Sequence, residues 1–494
     1  MSGNTQKLGL VALIGLVVGS SIGGGIFNAA KDIAGESAPG PAILAWIIVS
    51  VGMLCLVLCL NNIIQKRPDL GGIVEYAEAG FGKFWGLMSG WGYWLSTWLG
   101  NIAFAALLLD AIGNFIPILG LTSNATGPMG MDTSNILPFI FISAVMWGLV
   151  ILVNRGVESA AIINVVVLVA KLIPLIVTLF AGLFAFKVGM FTADFWGNVA
   201  TNAGGIIEGA TTLDQLKGCF MVMLWVFVGM EGASIFCERA EKKSDAAKAT
   251  IMGFLFLVAI YVLLSLIPFG ILSQEELADL PKPALAGVLR EIVGPWGFTL
   301  VNFGLIVSLL GAWLAWTLLP IQTMQQMSIR KYIPTKLGQL NKNGTPSSAL
   351  FLTSICVQVF MISYLFPEVT IKGKEPYEFA FALCSSAILI TWLFGGLYQI
   401  KLTLQSKDKS NYALNMCLGV LASVFQFWMI IEAGFTYIMI MSVTYIPAFV
   451  LYHKARKADG EAKPISGLTL IWTVLITIGA IVSMVLLAMG QIDI

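Results

Sequence analysis

The amino-acid sequence predicts an all-α polytopic membrane protein, and three observations carry that prediction. Of the 494 residues, 58% are hydrophobic and only 11% charged, where about 25% charge is ordinary for a soluble domain. There is too little polar side chain to clothe a water-facing surface. Apolar stretches of roughly 18 or more residues recur from end to end, the length that crosses a hydrocarbon core of about 30 Å at about 1.5 Å per residue. The alternating stretches of about 10 residues that a transmembrane barrel needs are absent. A soluble enzyme, a disordered chain and a nucleic-acid binder are therefore excluded, the last because 28 Lys and Arg nearly balance 27 Asp and Glu.

The first apolar stretch, Leu8 to Phe27, follows a short start containing Lys7. It lacks an A-x-A cleavage site and runs into a glycine cluster, so it is expected as a retained helix rather than a leader. Further spans are expected at Pro41 to Leu60, Phe84 to Ile112, Leu137 to Val153, Ala160 to Ala185, Leu216 to Cys237 and Ile251 to Leu272. The series continues with Trp296 to Pro320, Ser348 to Leu365, Phe379 to Leu397, Ala413 to Ile431, Thr436 to Leu451 and Leu468 to Leu487, about thirteen in all. Glu432 to Gly434 separates the eleventh from the twelfth. With the N-terminus in the cytoplasm, twenty basic residues fall inside and seven outside, and Lys171 lies within a span. The positive-inside rule selects that orientation, and an odd helix count places Ile494 outside. Cys55, Cys59, Cys219, Cys356, Cys384 and Cys417 lie in apolar runs and Cys237 near the end of one. They read as small buried hydrophobes, with no disulfide, metal or cofactor expected.

Two spans carry features that a lipid-facing helix does not need. In the first, Gly19-Ser20-Ser21-Ile22-Gly23-Gly24-Gly25 sets a run of small residues in mid-membrane. Three successive glycines cost about 1 kcal/mol each in helix propensity relative to Ala, so the backbone is expected to unwind there. A close helix crossing would instead show spaced small residues. In the sixth, Glu231 stands between Gly229 and Gly232, and a carboxylate at membrane depth marks a functional group. Gly24 and Gly229 occupy matching places in consecutive five-helix blocks, Leu8 to Ala185 and Leu216 to Leu397. Five is odd, so the second block enters the membrane inverted. This is the pattern of five-plus-five inverted-repeat transporters, whose broken first and sixth helices offer free N–H groups to a carboxylate and free C=O groups to an ammonium. Residues 1–400 would form the transport core and 401–494 additional C-terminal helices.

The strings Gly23-Gly24-Gly25-Ile26-Phe27, GGIVEYAEAGFGKFWGLMSGWGYWLS from Gly71 to Ser96, and WVFVGMEGAS from Trp225 to Ser234 resemble the amino acid-polyamine-organocation superfamily. The likeness is to its basic amino acid/polyamine antiporters, of the arginine/ornithine and arginine/agmatine type, and runs over about residues 8 to 400. The resemblance implies a substrate carboxylate on Ser20, Ser21, Gly23, Gly24 and Gly25, and an α-ammonium on the carbonyls of Trp225, Val228 and Gly229. It places the substrate side chain against Ser96, Thr97, Asn101 and Phe104 of the third helix, with Trp316 stacking on the cationic group. Ser20 stands where an Asn is usual, Gly24 replaces a Ser, and Phe104 replaces a Met. It further implies that Lys171 occupies the place where sodium-coupled relatives bind their ion. A buried ammonium needs acceptors, and Ser308 is expected among them. No sodium would then be required. Glu231 is expected as the pH-responsive group.

The remaining polar residues have blander readings. Asp110 reads as a solvated helix-end residue, His453 in YHKARK as cytoplasmic, and Trp85, Trp91, Trp94 and Trp98 as packing or interfacial. Asn124-Ala-Thr is a chance glycosylation match. No H-E-x-x-H is present, and Gly82-Lys83 is followed by Phe84, so there is no Walker loop and no enzyme is expected. The expected function is exchange of a cationic amino acid for its metabolic product, arginine/ornithine first. Histidine/histamine, other amino acid/amine pairs and a proton-coupled importer are the alternatives. Expected partners are amino acid and amine substrates and the lipid bilayer of the cell membrane, and the resemblance adds a homodimer.

Overall fold

A computed structural model describes residues 9–122, 131–156, 160–197, 207, 209–230, 243–366 and 376–489. All regular structure among them is helical: α1 Leu10–Ser21, α2 Ala29–Ala34, α3 Pro39–Lys66, α4 Ile73–Phe81, α5 Lys83–Gly113, α6 Ile136–Asn154, α7 Ala160–Ala185, α8 Val188–Phe191 and α9 Thr212–Trp225. There follow α10 Lys243–Leu266, α11 Gln274–Asp279, α12 Ala284–Val293, α13 Pro295–Ile329, α14 Ser347–Met361, α15 Pro376–Gln405, α16 Tyr412–Glu432, α17 Phe435–Ala458 and α18 Leu468–Ala488, with short 3₁₀ turns between some of them. Among the described residues, 11 helical stretches are long and apolar enough to cross a membrane. They answer to eleven of the expected spans. The other two are α1 and α9, 12 and 14 residues long, each ending at its glycine-rich break. The expected split after Glu432 is present, with Gly434 at φ +93° between α16 and α17.

The described residues cluster into two compact units of interleaved chain, drawn from Met1–Asn61, Leu107–Gly120 and Ser159–Ala312, and from Asn62–Ala106, Leu121–Glu158 and Trp313–Ile494. In the first unit α1 lies along α10, and the Trp46 indole on α3 donates to Ser265 of α10 at 2.9 Å. A capping box between Thr211 and Asp214 starts α9. The short helices α11 and α12, absent from the span reading because they are not apolar runs of membrane length, dock on α2. Lys31 donates to the Leu280 carbonyl at 2.6 Å, Gln274 to the Ala34 carbonyl at 2.9 Å, and the Ala284 N–H to Asn28 Oδ1 at 3.0 Å.

In the second unit α15 packs along α16, and α17 along α18. The amphipathic helix α4 lies between Gly72 and Gly82, both at positive φ that a side chain would strain. Arg330, just after α13, bonds Glu75 and lies 3.4 Å from Glu78, which also accepts from the Tyr332 hydroxyl at 2.6 Å. Glu75 is thereby buried and Glu78 half-buried, and a buried carboxylate is tolerated only when paired.

Candidate substrate site

The first break lies wholly in the first unit. After Ser21 the helix stops, Ile22 closes it with an N–H to the Val18 carbonyl at 3.0 Å, and a 3₁₀ turn at Gly25–Phe27 leads through Asn28 into α2. The last carbonyls of a helix have no donor of their own. Here they find donors from other helices: the Lys171 ammonium bonds the carbonyls of Gly19 and, at 2.8 Å, Ile22, while the Tyr261 hydroxyl reaches Ser21 at 3.1 Å. Lys171 is 2% exposed, so these bonds are what makes its burial tolerable. Ser308, expected among its acceptors, is buried on α13 and its hydroxyl has no partner among the described residues. Tyr261 was not legible as part of the site, since one tyrosine in an apolar span carries no signal of its partner.

Beyond the break, the N–H groups of Gly23, Gly24 and Gly25 have no acceptor among the described residues. Such free donors with a helix following are suited to an anion. The Ser21 hydroxyl donates back to Val17 at 3.0 Å, and of Ser20 the structure gives the helical backbone only.

The sixth-helix break mirrors the first. After Trp225 the chain turns through Val226 to Met230, with Gly229 at φ +105°, a left-handed conformation that favours glycine. The carbonyls of Val226 and Val228 have no donor among the described residues, which leaves acceptors for a cation. Gly25 shows how close the two breaks come: a methyl added there would lie 2.7 Å from the Trp225 ring and 3.1 Å from Val226. At Gly24, where the resembling exchangers carry Ser, Leu107 and Leu309 occupy the space a side chain would need. Glu231 lies outside the described residues.

The residues expected at the substrate's side-chain end lie in the second unit. Asn101, Phe104 and Trp316 are together: Asn101 Nδ2 donates to the Trp316 carbonyl at 3.1 Å, and the Phe104 and Trp316 rings meet edge to face with centroids 5.2 Å apart. Phe104 in place of Met thus provides an aromatic wall for Trp316. Asn101 also lines a small cavity with Thr317, Pro320, Thr353 and Ser354, and its Oδ1 has no partner among the described residues. Ser96 and Thr97 turn elsewhere. Ser96 contacts the Cys384 sulfur at 3.3 Å, and Thr97 donates to the Tyr93 and Trp94 carbonyls at 3.0 Å.

Comparison with known proteins places the chain in a family. The amino acid permease profile matches residues 8–493. The chain belongs to the amino acid permease family. It is 44% identical to an arginine/ornithine antiporter of Latilactobacillus sakei, over 99% of this chain and 98% of that one. An arginine/ornithine antiporter of Pseudomonas aeruginosa is 37% identical over 97% of both chains. An arginine/agmatine antiporter of Chlamydia pneumoniae is 34% identical, over 93% of this chain and 92% of its own. Among solved structures, the crystal structure of MhsT in complex with L-phenylalanine matches with a TM-score of 0.60 at 15% identity, covering 87% of this chain and 100% of that one. The permease is thus a multi-pass membrane protein of the five-plus-five inverted-repeat fold, related to the basic amino acid antiporters.

Proposed function

We propose that this permease exchanges arginine for ornithine across the cell membrane by alternating access. The observation that carries the reading is the meeting of the two helix breaks at Gly25 and Trp225, which sets the N–H groups of Gly23, Gly24 and Gly25 and the carbonyls of Val226 and Val228, none of them bonded among the described residues, at one place in the first unit. That pairing suits the carboxylate and ammonium of an α-amino acid. Trp225, Val228 and Gly229 take the ammonium and Gly23, Gly24 and Gly25 the carboxylate, with Ser20 and Ser21 at the same break. Trp316 and Phe104 provide aromatic faces for a cationic side chain, and Asn101 Oδ1 a single acceptor for its distal N–H. The names of the relatives support the substrate pair.

Arginine and ornithine each carry one net positive charge at neutral pH, so one-for-one exchange moves no net charge and needs neither ATP nor an ion gradient. Lys171, bonded to the carbonyls of Gly19 and Ile22, fills the place at the first break that a sodium ion would take, which removes the need for sodium. Residues 1–400 form the transport core, the N-terminus is cytoplasmic and the C-terminus external, and two copies assemble as a homodimer. The test is counterflow in proteoliposomes. Vesicles loaded with ornithine should accumulate labelled arginine many times faster than empty vesicles, and should do so equally at any membrane potential. Uptake that ignores internal ornithine and follows an imposed proton gradient would overturn the exchange reading in favour of an importer.

A further inference from the structure

In α13 the residue four positions after Trp316 is Pro320. An α-helical carbonyl accepts from the N–H four residues on, and proline has no N–H. The Trp316 carbonyl therefore lacks its helical donor at the point where the stacking residue leaves the helix. Asn101 supplies the replacement, with Nδ2 3.1 Å from the Trp316 oxygen. Three residues along the same face of α5, Phe104 meets the Trp316 ring. Thus α5 holds this tryptophan twice, by an amide on its backbone and by a ring on its ring. Asn101 is 3% exposed and Phe104 1%, so neither bond competes with bulk water.

We infer that Asn101 is a positioning residue: its amide nitrogen stands in for the N–H that Pro320 lacks and thereby fixes where the Trp316 ring stands. The inference rests on the reading of Trp316 as the residue that stacks on the substrate. Replacing Pro320 by alanine returns a backbone N–H to the Trp316 carbonyl, so the need for the Asn101 donor disappears with the proline. The pair is then coupled, in stability and in transport, although residues 101 and 320 lie on different helices.

The experiment compares the wild-type full chain with Asn101→Ala, Pro320→Ala and the double variant. Asn101→Ala should lower both the melting temperature in detergent and the maximal exchange rate, the latter about tenfold, since a buried acceptor loses its donor. In the Pro320→Ala background the same substitution should cost less than half as much in melting temperature and leave the maximal rate within about threefold of wild type, as neighbouring sites couple. The KM for arginine should stay raised in the double variant, because Oδ1 is still missing. Asn101→Asp, which keeps the size and loses the donor, needs no change at Pro320 and should behave as Asn101→Ala. Equal costs of Asn101→Ala in both backgrounds, or wild-type melting and rate in Asn101→Asp, would overturn the inference. Coupled melting temperatures with exchange untouched by Asn101→Ala would overturn the transport role of Trp316 instead, and the positioning role with it.

Discussion

Gly25→Ala is the sharpest test of the meeting of the two helix breaks. The added methyl would lie 2.7 Å from Cδ1 and Nε1 of Trp225 and 3.1 Å from Cγ1 of Val226. Ordinary contacts between carbon atoms lie near 3.5–4.0 Å, so the indole must retreat by about 0.8 Å or the break must open. Trp225 is 4% exposed and its neighbours are packed, and overpacking of this kind costs about 1–3 kcal/mol. Since each 1.36 kcal/mol is tenfold in rate, exchange should fall about 5- to 150-fold if the strain falls on the transport site. Gly24→Ala provides the control. Its methyl would meet Leu107 Cδ1 at 2.5 Å and Leu309 Cδ2 at 3.0 Å, both fully buried, so stability should fall there as well, but the clash leaves Trp225 and the second break untouched, and exchange per folded molecule should fall less than in Gly25→Ala. Neither glycine has a positive φ, so the contrast is steric. Both variants are assayed by ornithine-driven arginine counterflow, normalised to the monodisperse protein recovered. Wild-type exchange by Gly25→Ala, or equal losses in both variants, would refute the reasoning.

Further outcomes follow from other contacts. Lys171→Ala leaves the Gly19 and Ile22 carbonyls without their donor, at about 1–3 kcal/mol for each buried acceptor, and should abolish exchange, while the native protein should run equally in sodium and potassium buffers; a strong sodium requirement would sink this assignment. Trp316→Ala removes a ring worth about 0.5–2 kcal/mol to a bound cation, so KM should rise several-fold for arginine and far less for a neutral amino acid, and equal rises would place the ring outside the site. At the end of α17, the hydrogen bond from Lys331 holds the Asp459 carboxyl below the usual aspartate range. A depressed pKa contributes stability above the unfolded value, about 4, and loses it as pH falls through the folded one. The melting temperature should therefore fall more steeply below about pH 4 in the native protein than in Asp459→Asn, and parallel profiles would show that the bridge carries no acid-dependent stability.

Much of this permease is decided by contiguous residues. Span length, the glycine run at Gly23 to Gly25, the break at Gly229 and the split at Gly434 are local properties, because forming or interrupting a helix depends on neighbours three and four residues away. For the same reason the two short helices α1 and α9 were legible as broken spans, and Lys171 stood out as a lone ammonium in an apolar run. Partners were not legible. That Lys171 holds the carbonyls of Gly19 and Ile22 while the Ser308 hydroxyl does not join them, that Tyr261 takes Ser21, and that Ser96 turns to Cys384 follow from how distant helices pack. So does α4, whose buried Glu75 is matched by Arg330 from the end of α13. In the sequence Pro320 marked only the expected end of the eighth span, whereas the helix continues to Ile329, and the group that makes good its missing N–H, Asn101, is 219 positions away in chain number. Hydrogen bonds demand approach to about 3 Å, and only the packed chain brings such residues that near.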